Sequence, residues 1–93
     1  MIVGILTIDL LVVGSNSLKE KRHVVRSLLD NIRNKFNVSA AELDSLDSRR
    51  RAVIGVACIS NDRAIANTML NKALGLVESD PRAAIESSHL EFL

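Results

Sequence analysis

Ile2-Val3-Gly4-Ile5-Leu6-Thr7-Ile8-Asp9-Leu10-Leu11-Val12-Val13 is a β-prone run, apolar on both of its alternating sets. A strand that is apolar on both faces belongs in the middle of a sheet, covered on both sides. Gly14-Ser15-Asn16 follows with turn chemistry and reverses the chain. Residues 52–59 repeat the first pattern: Ala52, Ile54, Val56 and Cys58 alternate with Val53, Ala57 and Ile59, with Gly55 between. These two runs are therefore the expected central strands.

The rest of the chain reads outward from them. Ser17-Leu18-Lys19-Glu20 matches a capping box, with the Ser17 hydroxyl accepting from the Glu20 N–H and the Glu20 carboxylate reaching back to the Ser17 N–H. Leu18, Val25, Leu28, Leu29, Ile32 and Phe36 recur at helical spacing, which predicts a helix over 18–35. A weaker strand follows over 38–44, then a polar hairpin loop over 44–50. Ser60 or Asn61 is the expected cap of a second helix over 62–78, which Ser79-Asp80-Pro81 ends because Pro81 lacks an amide hydrogen. Residues 83–92, polar in the middle at Ser87-Ser88-His89, suit an edge strand.

The order is βαββαβ, which predicts residues 1–93 as a single α+β domain: a ferredoxin-like sandwich with an antiparallel sheet of order 4-1-3-2 and both helices on one face. The open face of such a sheet is apolar here. Leaving it in water costs about 25 cal/mol per Å², so a homodimer or higher homo-oligomer is expected, packed sheet to sheet or edge to edge. A monomer, its open face interrupted by Thr7 and Asp9, is the competing expectation.

Composition narrows the function. The chain has 93 residues, 47% hydrophobic and 25% charged, an ordinary globular mixture, and its net charge of +1 advertises no partner. Two Phe with no Tyr or Trp leave no platform for stacking bases. The single Cys58 permits no internal disulfide, iron–sulfur cluster or Cys-pair metal site, and within an apolar strand it reads as packing. The first apolar run is interrupted by Asp9 and too short to span a bilayer, and nothing around it reads as a secretory signal. A cytoplasmic location is the resulting expectation.

Charge is nevertheless uneven. Residues 19–35 carry Lys19, Lys21, Arg22, Arg26, Arg33 and Lys35 against Glu20 and Asp30, and Arg49-Arg50-Arg51 follow. Positions 19, 22, 26 and 33 share one stripe of the helix, with Lys21 and His23 beside it, a surface suited to phosphates. The plainer reading is a solvated face with Arg26 and Asp30 as an i,i+4 pair. A second constellation assumes that the first and third strands run parallel. The turns leaving them, Ser17 with Lys19 and Ser60-Asn61-Asp62-Arg63, then share one end, and two helix N-termini favour an anion there. Capping alone also explains Ser17 and Ser60, and Arg63 has Glu20 or Asp62 as candidate partners. For catalysis, Asp9, His23 and His89 have no spacing that forces convergence, although Asp9 and His89 are candidates to meet across strands.

Three runs, Ser17-Leu18-Lys19-Glu20-Lys21-Arg22, Phe36-Asn37-Val38-Ser39 and Ser60-Asn61-Asp62-Arg63, together with the length and element order, resemble the YlxP-like small bacterial proteins, a domain-of-unknown-function family. Glu42, Asp47, Arg51, Ala52 and Gly55 fit the same pattern, whereas Ser48-Arg49-Arg50 stands where members often carry a Trp. The resemblance implies a ferredoxin-like fold, no established enzymatic activity and no cofactor. It also implies a link to translation, because the family's genes often lie among those for translation initiation and ribosome maturation. The expectation is a non-enzymatic, ribosome- or RNA-linked accessory factor using Ser17, Lys19, Lys21, Arg22, Arg26, Ser60, Asn61 and Arg63. The alternatives are a regulatory ligand-binding module of the amino-acid-sensing type, with its site near 14–17, and a purely structural oligomeric subunit.

Overall fold

A computed structural model describes residues 1–93. The elements are β1 (Ile2–Val12), α1 (Leu18–Lys35), β2 (Ser39–Asp44), β3 (Arg51–Ser60), α2 (Arg63–Glu78) and β4 (Ala83–Phe92). They form one four-stranded sheet of order β2-β3-β1-β4, the ferredoxin-like α+β arrangement, with β1 and β3 in the centre. Alternation along the central strands sorts the two faces. Leu6, Ile8, Leu10 and Val12 of β1 and Ala52, Ile54, Val56 and Cys58 of β3 are buried. Both helices lie on that side. Val25, Leu28, Leu29 and Ile32 of α1 join Ala66, Leu70, Ala73 and Val77 of α2 in the same core. Each large apolar side chain buried there stabilises the fold by roughly 1.5–3 kcal/mol.

The local devices are short-range. Ser17 caps α1, its Oγ accepting from the Glu20 N–H at 3.1 Å. The return bond from Glu20 goes one residue further out than expected, to the Asn16 N–H at 3.0 Å. Gly14 takes φ 75°, a left-handed conformation that glycine reaches without strain, and so lets β1 turn toward α1. Gly4 serves closeness instead: a β-carbon there would lie 2.7 Å from Leu70 Cδ1, so α2 seats directly on β1. The cap of α2 is Asp62, neither Ser60 nor Asn61. Its Oδ1 accepts from the Ala64 N–H at 2.8 Å, while the Ser60 hydroxyl accepts from the Asp62 N–H at 3.0 Å. A carboxylate competes better than a hydroxyl for the positive end of a helix.

Beyond α2, Arg82 grips Asp80 with Nε and a terminal nitrogen, at 3.0 and 2.8 Å, and donates to Ser27 Oγ of α1 at 3.0 Å. These hydrogen bonds hold the Asp80 carboxyl below the usual carboxylate range and raise the Arg82 guanidinium.

One expectation about direction is overturned. β1 and β3 are antiparallel, with Ile2 opposite Ser60 and Leu11 opposite Arg51. The reason lies in chain reversals. Helix α1 returns the chain so that β2 runs in the direction of β1, and the hairpin then turns β3 against both. The N-terminus of α1 therefore lies beyond the Val12 end of the sheet and that of α2 beyond the Ile2 end. The two are separated by the length of a central strand, about 30 Å for ten residues. Lys19 and Arg63 belong to opposite poles.

Candidate nucleic-acid interface

The pole at the start of α1 is built from two loops knitted together. Ser15, only 2% exposed, places its Oγ 2.7 Å from the Arg49 carbonyl and 3.1 Å from that of Ser17. Arg50 donates from Nε to the Ser15 carbonyl at 3.1 Å, and the Val12 N–H bonds to the Arg50 carbonyl at 2.7 Å. Inside the hairpin, Ser48 Oγ accepts from the Arg51 N–H at 2.9 Å. The turn after β1 and the hairpin between β2 and β3 thus share one end of the molecule. Arg49 and Arg50, both exposed, stand beside the first turn of α1.

Lys21 does not reach the surface, contrary to expectation. Its side chain is completely buried, with Nζ 2.8 Å from Glu42 Oε2, 3.0 Å from the Ser45 carbonyl and 3.4 Å from the Leu46 carbonyl. All three ammonium protons are used, so Lys21 latches the hairpin to α1 and contacts no outside anion.

The exposed stripe of α1 is present. Lys19, Arg22, His23 and Arg26 all face solvent. The expected pair of Arg26 with Asp30 is not formed: Asp30 meets Arg33 at 3.4 Å, and Arg33 also donates to the Ala40 carbonyl. Lys19, Arg22 and Arg26 are left with no carboxylate partner. The carboxylates nearest in sequence are Glu20, occupied by the Asn16 N–H, and Asp30, taken by Arg33.

The remaining predicted residues lie elsewhere. Ser60, Asn61 and Arg63 stand at the far pole, where the Arg63 guanidinium sits 4.5 Å over the Phe92 ring and pairs with neither Glu20 nor Asp62. Asp9 faces the open side of the sheet and is taken by Arg51 at 3.2 Å, which also holds Glu86 at 3.2 Å. A register shift between Asp9 and Leu10 leaves Glu86 as an extra residue on β4, beside this pair. His89 lies opposite Thr7, so the expected meeting with Asp9 is not made, and His23 is on the helix layer behind the sheet. Near the β1–α1 turn there is an open groove of about 230 Å³ lined by Gly14, Ser15, Glu20 and His23. It falls below the usual size of a small-molecule site, about 300–1,000 Å³.

Arg49 and Arg50 are the residues that sequence reasoning missed as part of the site. Their run of three arginines was visible, but its closeness to Ser15 depends on a hydrogen bond spanning 34 residues.

The class is thus a small ferredoxin-like α+β domain with a basic first helix and an unpartnered sheet face. A family model described as "Protein of unknown function (DUF503)" matches residues 3–90, and the chain belongs to that family. It is similar to the uncharacterized protein YlxP of Bacillus subtilis (strain 168), 33% identical over 79 residues, which are 85% of this chain and 86% of that protein.

Proposed function

We propose that this chain is a non-enzymatic accessory factor that docks on structured RNA, as on a ribosomal surface, through the pole at the start of α1. The observation that carries this reading is a set of exposed cations without carboxylate partners, Lys19, Arg22 and Arg26, joined by the arginines of a loop tied to the same turn. Such groups supply phosphate contacts, which position a protein on an RNA backbone without reading its bases. With no Tyr or Trp, recognition rests on shape and charge. The translation-linked expectation from the family resemblance points the same way.

Co-sedimentation with ribosomal particles and gel shift of a structured RNA, each at low and high salt, test the reading. Binding is expected at low salt and is expected to weaken as salt rises. The double variant Arg22→Glu, Arg26→Glu should lose at least about tenfold in affinity, as removal of two phosphate contacts implies. Lys72→Glu, on α2, should bind as the parent does. Absence of binding at low salt, or equal loss in both variants, refutes the proposal.

A further inference from the structure

The sheet face opposite the helices is bare. Its outward residues on the central strands include Val3, Ile5, Val53, Ala57 and Ile59, and Ile59 is 73% exposed. On β2, Leu43 is 55% exposed and lies across Gly55, where a β-carbon would come 2.7 Å from its Cδ1. At one end of this face Arg51 bridges Asp9 on β1 and Glu86 on β4, so these three charges compensate one another, while His89 and Glu91 stand exposed along the edge strand β4, opposite Thr7 and Ile5.

We propose that this face is the interface of a symmetric homodimer in which two copies pack sheet against sheet. Size supports a second copy. Four strands about 4.8 Å apart, of 11, 6, 10 and 10 residues, present a flat area of about 590 Å² per copy, before side-chain relief is added. Two copies then bury about 1,200 Å², the area at which stable specific interfaces begin. Shape supports it too. Two sheets of the same twist pack face to face with their strands about 30° apart, and a two-fold axis sets each patch on its own equal. The Asp9–Arg51–Glu86 cluster is paired within one copy and requires no complement from a partner, and the small Ala57 gives room for an apolar side chain of the facing copy. The dimer leaves the start of α1 free on both copies, so it is independent of the proposed RNA contact.

Light scattering at micromolar concentration tests it. The expected mass is twice the 10.2 kDa of the chain. Ile59→Lys, at a position already mostly in water, should halve that mass while far-UV circular dichroism stays unchanged, and Val53→Lys should do the same. As a second readout, the melting midpoint of the parent should rise with protein concentration and that of Ile59→Lys should not. A parent that scatters as a monomer, or a dimer that survives both substitutions, overturns the proposal.

Discussion

Lys21 and Glu42 form a buried ion pair, Nζ to Oε2 at 2.8 Å, that joins the first helix to the strand before the hairpin. Breaking one side of such a pair leaves an uncompensated charge away from water. Lys21→Met should therefore lower unfolding free energy by about 3 kcal/mol, measured by urea denaturation. Adding Glu42→Leu should restore most of the loss. A single variant as stable as the parent would show that the latch contributes nothing.

The cap of α1 should be visible in the same measurement. Ser17→Ala removes the acceptor for the Glu20 N–H and should cost about 1 kcal/mol. Asp62→Ala at the other pole should cost a similar amount, since its carboxylate serves the Ala64 N–H in the same way.

How far these features were legible depends on how local they are. Ser17, Pro81 and the alternation in residues 2–13 act within a few residues, and the elements built on them form close to where the sequence puts them. The burial of Lys21 was also within reach: positions 21, 25, 28 and 32 fall on one stripe, so an ammonium there needs a partner. The direction of β3 was implicit in the element order, because a returning helix followed by a hairpin reverses it. The expectation of parallel central strands contradicted that order, and with it went the shared site for Ser17 and Arg63. Arg49 and Arg50 were not legible as partners of α1, because their placement depends on non-local hydrogen bonds to Ser15.

Close packing of α2 on the sheet gives a third outcome. Gly4→Ala drives a methyl toward Leu70, a fully buried side chain, and should destabilise by about 1–3 kcal/mol. Gly75→Ala, where a β-carbon meets nothing within 4 Å, should instead be neutral or stabilising, up to about 1 kcal/mol, because alanine is the better helix former. Thermal melts of the two variants check the contrast.

Acid should act through Asp80. Its folded pKa lies below its ordinary value of 3.8, so its contribution is fully present above that value and is lost as pH falls through the folded pKa. Asp80→Asn should accordingly be less stable than the parent at neutral pH, and the difference should shrink as pH drops below the ordinary carboxylate range. Unfolding free energies across that acid range give the test, and a gap that stays constant would contradict it.

The central claim is that RNA meets the molecule at the start of α1 and at no other pole. Titrating a structured RNA into the isotope-labelled protein at low salt, and following backbone amide shifts, tests this most directly. Shifts confined to residues 15–26 and 48–51, and reversed by added salt, are the predicted result. Shifts centred on Asn61 to Arg63 or on the sheet face, or none at all, would contradict it.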